Sequence, residues 1–155
     1  MFRIVICEDD LSQRELLKGF LYKVFEEIQE DLDLIEFESG EEALLEEVIL
    51  KGIDIFFLDI DLKEKNGIKI AEEIRENNSN TIIIFVSAMN DMIFDSLIVQ
   101  PFYFIRKDNF DRDMKIACTL IQKYINKNHK IITFDFNGKK TAIQLSSYRI
   151  LHPGI

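Results

Sequence analysis

Five acidic side chains lie where apolar segments of the sequence end. They are Glu8, Asp9 and Asp10 after the segment FRIVIC, then Asp59 directly after IFFL, and Asp61 two residues later. Clustered carboxylates repel one another and raise each other's pKa, and a divalent cation removes that repulsion. Mg²⁺ prefers oxygen ligands, among them carboxylates, backbone carbonyls and water. If the fold brings the two acidic segments together, they form a candidate magnesium site.

Two other polar side chains, Ser87 and Lys107, end later apolar segments. A carboxylate that is held by a metal ion and partly removed from water is a nucleophile toward phosphorus. A hydroxyl and an ammonium group beside it can bind the oxygens of a phosphoryl group. Each residue alone has an ordinary explanation in a solvated loop or a helix cap. Together, at four corresponding positions, they indicate acyl-phosphate chemistry on Asp59.

The hydrophobic pattern predicts five strands that alternate with five helices. The predicted strands are 2–8, 32–37, 52–59, 81–87 and 102–107. The later helices are predicted at 41–50, 67–77, 92–99 and 110–126. The third and fourth strands are apolar through most of their length, which is typical of parallel strands covered on both faces. Right-handed crossovers then give a doubly wound α/β domain, in which ligands bind outside the carboxyl ends of the strands.

The first helix is predicted from a capping-box pattern and an apolar stripe. The pattern places Ser12 at the cap and Glu15 three residues later. The residues at helical spacing are Leu16, Leu17, Phe20, Leu21, Val24, Phe25 and Ile28. This stripe is expected to face the sheet.

Composition indicates a soluble globular protein of one main domain. The chain has 155 residues, a net charge of −9 and a hydrophobic fraction of 47%. No apolar run approaches the length of a membrane span, and the start is too short in apolar residues for a signal peptide. We therefore expect a cytoplasmic protein without a membrane segment. Cys7 and Cys118 lack metal-ligand spacing and are expected to be buried, reduced thiols.

The last thirty residues differ from the rest. Residues 1–125 carry 14 Lys/Arg and 27 Asp/Glu, whereas residues 126–155 carry five Lys/Arg and one Asp. NKNHK (126–130) is predicted to be a linker, and the Asn-Gly pair at 137–138 predicts a β-hairpin. We therefore divide the chain into a domain over 1–126 and a second segment over 127–155.

The motifs over residues 2 to about 125 resemble those of the receiver domains of two-component response regulators. The resemblance implies a flavodoxin-like fold, in which the five parallel strands follow the order 2-1-3-4-5. It also implies the roles of four residues, which are Asp59 as the phospho-acceptor, Ser87 and Lys107 as contacts of the phosphoryl group, and Phe104 as the aromatic switch.

The same resemblance implies a Mg²⁺ site and a structural glycine. Asp9 and Asp59 would bind the metal directly, Glu8 would bind it through water, and the backbone carbonyl of Asp61 would add a ligand. Gly67 matches the glycine that starts the third helix in the family.

Some residues depart from the most common receiver pattern. Asp108 and Lys63 stand where proline is common, and the acidic pair begins with Glu8. ICEDD and RKD resemble the Agr/Vir branch, whose receivers precede a LytTR-type DNA-binding domain. The segment ITFDFNGKKTAIQLSSYRI resembles the opening strands of that domain, so 127–155 is expected to be a truncated start of it.

The resemblance implies a signalling function. A sensor histidine kinase would phosphorylate Asp59 with the help of Mg²⁺, and the change would switch homodimerisation and transcription. The dimer face would include Ile93, Phe94, Tyr103 and the apolar stripe over 114–125, and DNA would be bound through the C-terminal domain. The protein is expected not to be an enzyme, apart from catalysing its own phosphotransfer and slow dephosphorylation.

The sequence also allows three alternative functions. One is a dimerisation module that works without phosphorylation. Another is a phosphohydrolase similar to haloacid dehalogenases, which share the DxD motif but place further metal-binding acids after the lysine. The third, a flavodoxin-like redox protein, is disfavoured because the acidic loop EDDLSQRE would repel a flavin phosphate.

Overall fold

A computed structural model describes residues 1–43, 52–77, 80–136 and 138–146. Its strands are β1 (Phe2–Cys7), β2 (Leu32–Phe37), β3 (Ile55–Leu58), β4 (Ile82–Ser87), β5 (Tyr103–Arg106), β6 (His129–Phe136) and β7 (Lys139–Ser146). Its α-helices are α1 (Leu11–Glu27), α2 (Gly40–Ala43), α3 (Gly67–Asn77), α4 (Ile93–Ser96) and α5 (Phe110–Asn128). Short 3₁₀ turns precede and follow α4, at Asn90–Met92 and Leu97–Val99.

Five strands form one parallel sheet in the order β2-β1-β3-β4-β5. This confirms the predicted doubly wound fold. In the sheet register, Cys7 lies beside Leu58, Leu58 beside Phe85, and Ser87 beside Arg106. The ends of β1, β3, β4 and β5 therefore reach the same edge, where the predicted site residues follow.

The central strands are buried on both faces, as their apolar sequences predict. Every residue of β3 and β4 is buried. On one face, Val5, Phe56 and Phe85 belong to a core cluster that also includes Ile70 and other residues of α3. Side chains of successive strand residues point to opposite faces, so the intervening residues form a second apolar layer. The sheet is thus covered on both sides, which makes its carboxyl edge the place for polar side chains.

Helix α1 differs from its prediction at its start and on its buried face. Asp10 is the cap, because its backbone is extended and its carboxylate accepts the Gln13 N–H at 3.2 Å. Ser12 is therefore not the cap. Leu16 is 52% exposed, whereas Arg14 is buried. The buried stripe begins at Arg14, whose guanidinium donates hydrogen bonds to the Glu8 carbonyl and to the Glu38 side chain.

Other boundaries move by a few residues. The predicted helix 41–50 corresponds to α2, and residues 44–50 lie outside the described residues. The predicted strand 52–59 shortens to β3, and Asp59 follows it directly. The predicted helix 92–99 consists of α4 and its two 3₁₀ turns. Helix α3 has the predicted bounds, and Asn66 opens it by accepting the Ile68 N–H at 2.7 Å.

The predicted linker 126–130 is wrong. Helix α5 continues to Asn128, whose side chain donates to the Tyr124 carbonyl at 2.7 Å, and β6 begins at the next residue. Asparagine and lysine are tolerated in helices, so their polarity alone did not mark a loop. β6 and β7 pair antiparallel, which agrees with the predicted hairpin.

The backbone forms two compact units, Met1–Ala117 and Cys118–Ile155. The functional assignment of 127–155 stays a prediction. Cys7 and Cys118 are buried, as predicted. Across the described residues, no helix combines the length and apolar character that a membrane span requires.

Candidate functional site

Three carboxylates meet at the carboxyl edge of the sheet. Glu8, Asp9 and Asp59 each offer a carboxylate oxygen, and these atoms lie within 4.8 Å of one another. Glu8 is 1% exposed and Asp59 is 3% exposed, whereas Asp9 is half-buried. An all-oxygen cluster of this size suits a hard divalent cation such as Mg²⁺. The predicted convergence of the two acidic segments is therefore present.

Lys107 contacts two of the three carboxylates in this cluster. Its ammonium nitrogen lies 2.9 Å from Asp59 Oδ2 and 2.8 Å from Glu8 Oε2. Burial by itself lowers the pKa of Lys107, but its contacts with Glu8 and Asp59 outweigh burial and raise the pKa. The lysine is thus a fixed positive charge beside Asp59.

Glu8 is held at three points and is hard to ionise. Its Oε1 accepts the Asp10 N–H at 3.1 Å, its Oε2 faces Lys107, and its backbone carbonyl accepts Arg14 Nη1 at 2.7 Å. Burial raises the pKa of Glu8 to about 7, and the charge of Asp59 adds to the rise, against the lowering effect of Lys107. The site as a whole therefore disfavours a second negative charge unless a further cation binds there.

The Asp59 carboxylate is fixed by its neighbours. Its Oδ1 accepts the Asp61 N–H at 3.1 Å, and its backbone N–H donates to the Cys7 carbonyl at 3.0 Å. The first residue of α3 packs directly on this backbone. A Cβ built on Gly67 would lie 2.8 Å from the carbonyl carbon of Asp59 and 2.8 Å from Ile60 Cα. Glycine is therefore required here because another backbone lies too close for a side chain.

Ser87 and Phe104 occupy neighbouring strands next to this cluster. The buried Ser87 hydroxyl accepts the Met89 N–H at 3.0 Å, which shapes the first turn after β4. Phe104 is half-buried, and its ring centroid lies 6.1 Å from that of Phe85. Both residues therefore lie in or beside the segments that lead from the site to α4.

A hydrogen bond joins the segments that follow β4 and β5. Asn90 donates from Nδ2 to Asp108 Oδ2 at 3.1 Å. Both side chains are exposed. The segment that follows Ser87 and the segment that begins at Lys107 are thus in direct contact at the rim of the site.

The sequence matches a known family over most of its length. The family model for the response regulator receiver domain matches residues 4–119. This chain belongs to the response regulator receiver domain family. Membership of this family excludes the phosphohydrolase and redox alternatives.

Curated relatives of this receiver are longer proteins. The sensory transduction protein LytT of Bacillus anthracis is 30% identical over 99% of this chain and 59% of its own length. The accessory gene regulator protein A of Staphylococcus epidermidis is 35% identical over 69% of this chain and 47% of its own length. The chain thus spans about half the length of the curated relatives it matches. These relatives agree with the Agr/Vir, LytTR-type resemblance of the motifs.

Solved receiver structures have the same fold. The response regulator TrrA of Thermotoga maritima, crystallised in complex with Mg²⁺ and BeF, is 29% identical, with a TM-score of 0.62 over 77% of this chain and 99% of TrrA. The response regulatory domain of mrkE from Klebsiella pneumoniae has a TM-score of 0.67 over 81% of this chain and 97% of its own. At 18% identity, the second comparison supports the fold alone.

Two charged residues of the receiver were missed by sequence reasoning. Arg14 donates to the Glu8 carbonyl and to Glu38 at 3.3 Å, although it lies on an otherwise apolar helix stripe. Asp113 is 1% exposed and binds Arg106. A charged residue at a buried helical position is the signal that could have identified both.

Large apolar side chains are exposed around α4 of the receiver. Phe94 is 84% exposed, Ile98 is 73% exposed and Leu97 is 55% exposed. Ile93, which was predicted with them, is half-buried, as is Tyr103. Met114, Ala117 and Ile121 of the predicted stripe are buried, so the prediction that they belong to this face is wrong. The exposed set is therefore a candidate contact surface, which we call the α4 surface.

Proposed function

We propose that this receiver accepts a phosphoryl group on Asp59, from a partner histidine kinase, in a step that requires Mg²⁺. The observation that carries the proposal is the placement of Asp59. Its carboxylate is almost fully buried, lies beside two other acids, and is contacted by the Lys107 ammonium. A carboxylate in this setting can serve as a nucleophile, and a lysine is ready to bind the transferred group.

The donor set supports Mg²⁺ as the cofactor. Asp9 and Asp59 would bind the ion directly, Glu8 would bind it through water, and the Asp61 carbonyl would complete the protein ligands. When bound, Mg²⁺ supplies positive charge for the carboxylates and the phosphoryl oxygens. TrrA, the relative crystallised with Mg²⁺ and BeF, offers a precedent in another receiver.

Asp59 and Lys107 would have separate roles in the phosphoryl transfer. An Asp59 oxygen forms a bond to phosphorus while the bond from phosphorus to the kinase histidine nitrogen breaks, and that nitrogen then takes a proton from solvent. Lys107 keeps its proton throughout and binds a phosphoryl oxygen. Because these groups belong to the receiver, it catalyses its own phosphorylation, and we expect slow loss of the phosphoryl group to water.

The phosphorylated state would differ in the segments after β4 and β5. The new group adds a charge of about −1.5 to −2 and several acceptor oxygens. Ser87 would leave the Met89 N–H and donate its hydroxyl to the phosphoryl group. Phe104 would then turn further inward toward the vacated space. These changes lead directly to the α4 surface, which would form a homodimer in the phosphorylated state.

The output of the full-length protein would be transcription. The names of the relatives, sensory transduction protein LytT and accessory gene regulator protein A, fit a regulatory protein. This regulator would act in the cytoplasm. The basic segment 127–155 would begin a LytTR-type domain that binds DNA. The antiparallel pairing of β6 and β7 agrees with such a start. The receiver would control this domain through dimerisation.

The proposal is tested by intact mass spectrometry after incubation with acetyl phosphate. The wild type should gain one phosphoryl group with Mg²⁺ and none with EDTA. Asp59→Asn should gain none, whereas the control Asp31→Asn, which changes an exposed aspartate outside the site, should behave as wild type. No gain in the wild type, with acetyl phosphate or with phosphorylated kinase, would instead favour a module that dimerises without phosphorylation.

A further inference from the structure

Asp113, a buried carboxylate outside the candidate metal site, is bound to Arg106 through both of its oxygens. It lies in the first turn of α5 and is 1% exposed. Arg106 donates three hydrogen bonds to it. The Arg106 backbone N–H donates to Oδ2 at 3.0 Å, Nε donates to Oδ2 at 2.7 Å, and Nη2 donates to Oδ1 at 2.9 Å.

These three bonds fix the end of β5. The bond to the backbone N–H and the two-point bond to the guanidinium use the same carboxylate, so they constrain both the main chain and the side chain of Arg106. Their strength is reflected in the Asp113 pKa, which the hydrogen bond to Arg106 lowers. The next residue, Lys107, begins the short 3₁₀ turn Lys107–Asn109 that leads into α5.

The direction in which Lys107 leaves β5 decides whether its ammonium reaches the site. Lys107 follows the edge strand β5, and its side chain must reach Asp59, which follows β3. The Lys107 Nζ atom lies 2.9 Å from Asp59 Oδ2. Reactions that depend on positioning lose much of their rate when a group moves by about 1 Å. A residue that fixes the backbone beside Lys107 therefore affects chemistry that it does not touch.

We infer that Asp113 is a positioning residue, which holds Arg106 and thereby aims Lys107 at the phosphoryl group on Asp59. The inference rests on the proposed function, because it concerns the same phosphoryl site. It goes beyond it by assigning a role to a buried carboxylate that lies outside the metal cluster. Asp113 acts through Lys107 and not through the metal ion.

The test uses beryllofluoride, a phosphoryl analogue, so that binding is measured without turnover. The chain has no tryptophan, so calorimetry and fluorine NMR are suitable readouts. Asp113→Asn should weaken beryllofluoride binding at saturating Mg²⁺ by about tenfold. Mg²⁺ binding without beryllofluoride should stay within about twofold of wild type, because Glu8, Asp9 and Asp59 are unchanged. Asp111→Asn, an exposed change in the same helix turn, is the matched control.

A double-mutant cycle separates positioning from simple stabilisation. In a Lys107→Ala background, Asp113→Asn should cause no further loss of beryllofluoride binding, because its effect passes through Lys107. An equal loss in both backgrounds, or wild-type binding by Asp113→Asn, would overturn the inference. If Asp113→Asn fails to fold, Arg106→Gln, a change in the half-exposed partner, takes its place. Beryllofluoride binding should again weaken by about tenfold. Wild-type binding, or an equal loss in the Lys107→Ala background, would again overturn the inference.

Failure of the proposed function gives a different result. A wild-type protein that binds neither Mg²⁺ nor beryllofluoride would contradict the phosphoryl site itself, and the inference with it. Wild-type binding that Asp113→Asn leaves unchanged would contradict the inference alone. The two claims are therefore distinguished within one series of measurements.

Discussion

Lys107 offsets part of the free-energy cost of burying the acidic cluster. Two nearly buried carboxylates, Glu8 and Asp59, share its ammonium group. Burying an isolated charge away from water costs free energy. An opposite charge and hydrogen bonds beside it reduce that cost. Asp9 remains half-buried and open to solvent. The site is thus partly neutralised in advance and still has carboxylate oxygens available for a cation.

The ion pair between Arg106 and Asp113 predicts how stability depends on pH. Arg106 lowers the folded-state pKa of Asp113 below 3.8, the ordinary value that the unfolded chain is expected to have. A lowered folded-state pKa means that stabilisation is fully present above the unfolded value and is lost as pH falls through the folded value. Asp113→Asn should therefore reduce the free energy of unfolding at pH 7, and this reduction should shrink steadily below pH 3.8.

Urea denaturation across this pH range measures that difference. The control Asp111→Asn removes an exposed aspartate from the same helix turn and should give a much smaller change at every pH. A loss of stability in Asp113→Asn that is the same at neutral and acid pH would mean that packing, not the charge pair, is responsible.

At the residue scale, sequence reasoning succeeded where position along a strand determines the surroundings. Glu8, Asp9, Asp59 and Lys107 could be placed together because each follows a parallel strand, and parallel strands end at one edge. Asp113 could not be placed in the same way, because its partner is set by how a helix turn packs on a strand end. A hydrophobic pattern does not carry that information.

Among the elements of the fold, the junction of β3 and α3 controls the geometry of the site. Asp59 directly follows the strand, and the Gly67 N–H donates to the Ile60 carbonyl at 2.9 Å. The loop between them closes through the bridge of Asp61 with Asn66. The start of the helix and the backbone of the acceptor residue are therefore one packed structure.

Gly67→Ala should disturb this junction. The added methyl group would meet the Asp59 and Ile60 backbone, which cannot move without moving the site. Overpacking of this kind typically costs about 1–3 kcal/mol. We expect a loss of that size in the free energy of unfolding, measured by urea denaturation, together with slower phosphorylation by acetyl phosphate.

Gly19→Ala provides the opposite control. Gly19 lies inside α1, and a Cβ there would meet no atom within 4 Å. Replacing an unconstrained helical glycine by alanine typically stabilises by about 0.5–1 kcal/mol. If Gly67→Ala were as harmless as Gly19→Ala, the tight contact at Asp59 would not exist.

The elements themselves were largely predictable, but their ends were less so. Apolar strands β3 and β4 and helix α3 follow from periodicity, since burial and pattern agree there. The predicted cap of α1 was wrong because Asp10 and Ser12 are both good cap residues. Only the structure, in which the Asp10 backbone is extended, distinguishes them. The predicted end of α5 was wrong because a polar helix end and a polar loop have similar compositions.

Charge is distributed unevenly over the molecule as a whole. Residues 1–125 carry a net charge of −13, whereas residues 126–155 carry +4. Strong negative charge disfavours binding of nucleic acid to the receiver itself. Contact with DNA, as proposed, would therefore belong to the basic segment and to what it forms in a longer protein, and the receiver would contribute control and dimerisation.

The α4 surface should be needed for dimerisation of the activated receiver. The double variant Phe94→Ser with Ile98→Ser should raise the dissociation constant of the dimer that forms with Mg²⁺ and beryllofluoride by about tenfold or more. The reason is that apolar area buried in the interface is lost. The two side chains are 84% and 73% exposed, so the free energy of unfolding of the monomer should change by at most about 0.5 kcal/mol each. Sedimentation velocity measures the dimer.

A surface change elsewhere controls for general effects of lost apolar area. Tyr22→Ser alters a residue of α1 that is 51% exposed, and the dimer should keep its wild-type dissociation constant. A dimer that is weakened by Tyr22→Ser and unaffected by the α4 changes would place the interface on α1 instead.

The central claim is that Asp59 carries the phosphoryl group, and borohydride trapping tests it most directly. Borohydride reduces an aspartyl phosphate to homoserine, which peptide mass spectrometry then assigns to one position. After phosphorylation with acetyl phosphate and Mg²⁺, we predict homoserine at position 59 and unmodified acids at Glu8, Asp9 and Asp61. Homoserine at Asp9 or Asp61, with position 59 unchanged, would contradict the account.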